Sequence, residues 1–265
     1  MAKPNQLNFR TALCFAVCGS LASPAFAGLP LETESAYLPA KGHGLFEFAY
    51  EYQTSSEGKE SALPFVFDYG LTDRLMVTIE PVAAVSIRPK VGPSASGFGD
   101  TEVALTYLVA PETESRPAFA VAGEIKFPTA NDPLIGTGKT DYRLYGIVSK
   151  TVGKYSFSGN LGYTFVGSPS GTSLGNAVDY AISAQYAATD RLTLCAEFIG
   201  NTSSQGGAEV VAPTAPPLTA EAAGNEQVGL LGFSYLASKN ISLSLGVTYD
   251  NNSATLLRTG LEYRF

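Results

Sequence analysis

The sequence has no tryptophan, only two methionines, one histidine and three cysteines in 265 residues. A single histidine, His43, excludes a multi-histidine metal centre, and any Ser-His chemistry would have to run through it. Cys14 and Cys18 lie in the amino-terminal leader described below, so the processed chain keeps Cys195 alone and forms no intrachain disulfide. Charge is sparse, at 15% of residues, and acidic on balance, with 24 Asp and Glu against 17 Lys and Arg. That balance argues against nucleic acid, which needs clustered basic residues. No stretch after the leader is apolar for the roughly 20 residues that a membrane helix requires. If this chain enters a bilayer, it does so with strands.

The leader is legible. Lys3 and Arg10 give a positive start, residues 11 to 21 (TALCFAVCGSL) form a short apolar core, and Ala25-Phe26-Ala27 sets small residues at the spacing of a signal-peptidase site. Residues 1–27 are expected to be cleaved, and the mature protein to begin at Gly28. Val17 before Cys18 and Leu13 before Cys14 are too large for a lipidation site.

Most of the rest alternates with period two. Phe46, Phe48, Tyr50 and Tyr52 share one face, with Glu47, Ala49, Glu51 and Gln53 on the other. Similar runs follow around residues 63–69, 75–80, 101–107, 119–127, 141–149, 156–165, 178–186, 192–198, 230–235, 241–249 and 257–265, which makes twelve candidate strands. Each is close to the roughly 9 to 11 residues of a tilted membrane strand. Pro64 lacks a ladder donor and is expected near a strand end. Short connections (71–73, 110–116, 151–154, 188–190, 238–240) alternate with longer ones rich in Gly, Pro, Ser and Asn (87–96, 128–137, 167–175, 200–224). Short periplasmic turns alternating with long outer loops characterise outer-membrane barrels, and closure leaves no strand edge to face lipid.

The expected fold is therefore all-β: a closed antiparallel up-and-down transmembrane barrel of about 12 strands over residues 44–265. Residues 28–43 are read as a short periplasmic segment, too short for a plug like the hatch of the long-chain fatty-acid transporters. A soluble secreted β-sandwich would show the same alternation with the apolar face inward. The chain end separates the two, because Leu257, Leu261, Tyr263 and Phe265 share one face. Tyr263 and Phe265 resemble the assembly signal of outer-membrane proteins.

The segments GFGDTEVALTYLV (97–109), EIKFPTA (124–130), GTGKTDYRLYGIVSK (136–150), FSGNLGYTF (157–165) and YGLTDRL (69–75) together resemble the MetA-pathway of phenol degradation family of outer-membrane barrels. These motifs describe strands and turns rather than chemistry. The resemblance implies passage of aromatic compounds and carries no catalytic residue.

Gly136-Thr137-Gly138-Lys139-Thr140 mimics a phosphate-binding loop, but Pro133 stands where the first glycine is required. Asn201, Asn240 and Asn251 head acceptor-like triplets for glycosylation and are more simply turn residues. His43 precedes the first strand and is expected at the periplasmic rim. The polar faces carry Glu47, Glu51, Asp68, Glu80, Glu102, Glu124, Asp179, Glu197 and Glu262 beside Lys126, Arg143 and Arg258, the candidate lumen-lining residues.

The expected function is passive passage of small solutes, with no catalytic residues, metal or cofactor. The alternative is a closed structural or adhesive barrel that binds partners through its outer loops. The expected partners are outer-membrane lipid and lipopolysaccharide, the barrel-assembly machinery and periplasmic chaperones, and a small-molecule solute, the protein itself being a monomer.

Overall fold

A computed structural model describes residues 28–171, 173–202 and 225–265. Residues 1–27, expected to be a cleaved leader, and most of the long 200–224 connection lie outside the described residues. In the rest, β-branched and aromatic residues alternating with small and polar ones give strands with two unlike faces. They are β1 (Gly44–Thr54), β2 (Gly58–Thr72), β3 (Leu75–Pro89), β4 (Ala95–Gly97), β5 (Thr101–Ala110), β6 (Ala118–Phe127) and β7 (Asp141–Val152). The series continues with β8 (Tyr155–Phe165), β9 (Ala177–Ala187), β10 (Leu192–Asn201), β11 (Glu226–Leu236), β12 (Ile241–Asp250) and β13 (Thr255–Arg264).

Consecutive strands pair antiparallel, with β3 bonding β5 past the short β4, and the ring closes where β1 meets β13 from Leu45↔Arg264 to Thr54↔Thr255. Twelve strands thus each have two neighbours, and β4 is a three-residue addition to the outer end of β3. The faces decide between barrel and sandwich. Phe46, Tyr50, Leu144, Leu161, Leu231 and Tyr249 are exposed on the outside, while Glu47, Glu51, Glu124, Glu197 and Glu262 are buried. Apolar groups outside and charges inside suit a hydrocarbon solvent, so this is a transmembrane barrel of the outer-membrane type. Rings cluster at the end that carries the termini: Phe67 stacks on Tyr69 and Phe265, Phe265 on Tyr263, and Tyr155 packs against Tyr186. Aromatic rings belong at such an interface because one edge meets hydrocarbon and the other water.

Several expectations need correcting. β2 and β3 are 15 residues long, not 9 to 11. Their outer ends, with β4 and the β6–β7 connection, bury Ala62, Val85, Ile87, Ala95 and Ile135 in a small apolar cluster, which holds the extra length away from water. Pro64 sits in mid-strand rather than at an end. It is accommodated by a break in register between Ala62 and Pro64, where no ladder bond is asked of it. The outer connections are not all long, since β1–β2 and β12–β13 are joined by residues 55–57 and 251–254.

The largest correction concerns residues 28–43, which do not form a separate periplasmic segment. They run inside the barrel, because inward-facing side chains supply the hydrogen bonds that this extended stretch cannot make with itself. Leu29 N–H donates to Glu47 Oε1 (3.1 Å), Glu32 N–H to Glu197 Oε1 (2.9 Å), Glu34 N–H to Asn160 Oδ1 (2.7 Å) and Ala36 N–H to Ser149 Oγ (2.9 Å). The chain then leaves at the terminal end, where Lys41 N–H meets Asp73 Oδ1 (3.1 Å).

Candidate functional site

Among the described residues, charged side chains from separate strands converge in the lumen. Two devices make room in it for the amino-terminal segment. Gly232 of β11 and Gly246 of β12 are cross-strand partners, Gly260 of β13 lies two residues along from the partner of Gly246, and a Cβ on any of them would come within 2.8 Å of Pro30 or Leu29. Across the barrel Ala118, Ala120 and Ala122 of β6 leave space for Ala36 and Tyr37. Small residues on the wall therefore act as a bed for this stretch.

Register places the charges in rows. Glu80, Glu102, Lys126 and Asp141 are successive cross-strand neighbours on β3, β5, β6 and β7, and Glu124 faces Arg143 one row away. Lys126 is bonded to Asp141, with Asp100 at 4.0 Å. Arg143 bonds Asp179, stands 3.7 Å from Glu124 and lies over the Tyr145 ring at 4.3 Å. Arg258 donates to Glu51 (2.5 Å), to the Pro30 carbonyl (3.0 Å) and to Glu32, tying β1 and β13 to the segment. Glu197 accepts N–H groups of Glu32 and Thr33 together with the Thr33 hydroxyl, and Asp68 accepts from Thr78. Glu262 pairs with Arg264 at 2.5 Å.

Beside the segment remains a cavity of about 250 Å³. Its wall carries ten carboxylates (Glu32, Glu34, Glu47, Glu51, Asp68, Glu80, Asp100, Glu102, Glu124 and Asp179) against two guanidinium groups, Arg143 and Arg258. Of the residues singled out from sequence, Lys126, Glu197 and Glu262 are inward but taken up by other partners. Glu32, Glu34 and Asp100 were missed, because none lies on a regular strand. At the terminal end the Tyr37 hydroxyl donates to Glu112, and burial and that carboxylate push it up to about 12. Although burial opposes it, Lys150, Tyr37 and the Thr151 N–H hold Glu112 below its ordinary value.

His43 is exposed at the same end, its Nδ1 3.2 Å from the Phe265 carbonyl oxygen. Cys195 is buried against Leu31 and Leu230. Gly136–Thr140 lies in the β6–β7 connection and leads into a strand, not into the helix that a phosphate loop requires.

The family model described as "Putative MetA-pathway of phenol degradation" matches residues 29–265. No curated protein matches the chain. Among solved structures, the COG4313 outer membrane channel from Pseudomonas putida F1 superposes with a TM-score of 0.67 at 13% identity, over 89% of this chain and 100% of that one. The NanC porin gives 0.59 at 14% identity over 83% and 100%. The KdgM porin in complex with disordered oligogalacturonate gives 0.54 at 13% identity over 83% and 99%. At these identities the likeness is one of fold.

Proposed function

The chain belongs to the MetA-pathway of phenol degradation family, and from that membership and the charge of its lumen we propose a passive outer-membrane channel for small neutral or weakly cationic solutes, aromatic compounds among them. The observation that carries this reading is the cavity wall, with ten carboxylates against two guanidinium groups. Carboxylates at close quarters in a narrow passage concentrate cations and repel anions. A chain of carboxylates such as the oligogalacturonate of the KdgM porin complex is therefore a poor solute for this wall. The segment across the lumen narrows the route, which favours compact solutes over extended ones.

An enzymatic role has little to support it. A lipid-cleaving Ser-His pair needs its histidine on the outward face near the outer leaflet, whereas His43 sits at the periplasmic rim. We further read the protein as a monomer in lipid and lipopolysaccharide, brought there by periplasmic chaperones and the barrel-assembly machinery, with Tyr263 and Phe265 as the signal.

Ion conductance across a planar bilayer tests the proposal. Under a salt gradient the reversal potential should show cation preference, and replacing Glu80, Glu102 and Glu124 by Gln should reduce it. An anion-selective channel, or a reversal potential unmoved by the triple substitution, refutes this assignment. Absence of conductance with or without the amino-terminal segment would favour the structural barrel.

A further inference from the structure

Gly28, the residue that cleavage after Ala27 would leave at the front of the chain, lies against two carboxylates. A Cβ on it would stand 2.6 Å from Glu262 Oε2 and 2.8 Å from Glu47 Oε1. The two glutamates are direct partners across the β1–β13 ladder, and each is only 5 to 6% exposed. Like charges directly opposite in a ladder destabilise it unless something positive joins them. Glu262 Oε1 has Arg264 at 2.5 Å and Ser242 at 3.5 Å, and among the described residues Glu47 Oε1 accepts the neutral Leu29 N–H at 3.1 Å. Glu262 Oε2 is turned toward Gly28.

A second observation is independent of that geometry. Residues 28–40 contain Glu32 and Glu34 and no Lys or Arg, yet they lie beside a cavity to which the barrel adds eight further carboxylates against two guanidinium groups. An acidic segment in an acidic lumen is repelled by its surroundings. Its own positive charge can come only from its α-amine.

We propose that Glu47 and Glu262 form a binding site for the α-ammonium of Gly28, and that signal cleavage thereby latches the segment inside the barrel. Hydrolysis by a signal peptidase adds the oxygen of water to the Ala27 carbonyl carbon and breaks the Ala27–Gly28 C–N bond. The nitrogen keeps the electron pair and takes up protons, giving an ammonium at neutral pH, since an ordinary α-amine has a pKa of about 8. Before cleavage the same nitrogen is a neutral amide and cannot fill the site. Glycine suits this position because a side chain would take the space of the two oxygens. The latch goes beyond the channel reading and stands whether or not the barrel conducts.

The test uses the full chain, exported with its own leader and purified from outer membranes. The first residue is read by N-terminal sequencing, and the α-amine is labelled with an aldehyde selective for chain termini and followed by intact mass. The latch predicts Gly28 as first residue and labelling at least tenfold slower in the folded barrel than in the heat-unfolded chain. It also predicts a folded E47Q/E262Q variant that labels within threefold of the unfolded rate. The intact protein supplies a criterion that needs no variant: its half-labelling pH should lie at least one unit above that of the unfolded chain. Another first residue, equal rates folded and unfolded, an unshifted pH profile, or protection that persists in folded E47Q/E262Q each overturns the proposal.

Discussion

Leu231 stands at the centre of β11 with its side chain outside the barrel and 72% exposed, flanked by Val247 and Ala196. At about 3.3 Å per residue and a tilt of about 40°, each residue climbs about 2.5 Å through the membrane. The five residues on either side of Leu231 then carry β11 through about 25 Å, the height of an apolar band, and put Leu231 at its midplane. An arginine there costs about 2 to 4 kcal/mol, which lowers the folding equilibrium by roughly 30- to 700-fold. Leu243, also outward, is the third residue of β12 and lies about 7 Å nearer the periplasmic interface, so Leu243→Arg should cost about half as much. Urea titration of folding into phospholipid vesicles measures both, read by the gel mobility of folded against unfolded protein because the chain has no tryptophan. Equal costs for the two variants, or less than about 0.5 kcal/mol for Leu231→Arg, would show that the depth or the facing is wrong.

Other perturbations have equally definite outcomes. Deleting Leu31–Ala40 while keeping the leader and Gly28 should raise single-channel conductance severalfold, and an unchanged conductance would mean that the segment does not limit the path. Arg258→Ala leaves the buried Glu51 without its 2.5 Å partner and should destabilise the barrel by about 3 kcal/mol in the same urea assay; a loss under about 1 kcal/mol would mean that water screens the pair. Removing Phe265 deletes the two backbone bonds it shares with Gly44 at 3.0 Å and its stacking on Phe67. Export should continue while insertion slows, and fractionation of cells into periplasm and outer membrane would expose a truncated chain that assembles at the normal rate.

The strands were readable because a face turned to lipid and a face turned to a polar lumen differ at every second residue, as Phe46 and Glu47 do. What escaped has no period. Apart from a few short turns, residues 28–43 bond to partners 18 to 228 positions away, and nothing local marks them as interior. The nearest trace is the trio Gly232, Gly246 and Gly260, wall positions too small for a lumen filled by side chains alone. Pro64 misled because proline reports the missing donor but not the bulge that makes it harmless. Pairing of carboxylates with Lys126, Arg143 and Arg258 follows from register, which depends on turn geometry and bulges as well as on the alternating pattern.

The β1–β13 seam has a consequence for the order of events in assembly. Its partners, Leu45↔Arg264 through Thr54↔Thr255, come from opposite ends of the barrel sequence, and joining ends about 220 residues apart costs about 5 kcal/mol in loop entropy. No part of this ring can close early, because its final contacts need the final residue. Throughout synthesis and transit the chain must be kept from pairing its two end strands with strangers. When the seam does zip, it also brings Glu47 opposite Glu262 and Glu51 beside Arg258, so the same stroke that removes the last open edge completes the interior grip on the amino-terminal segment.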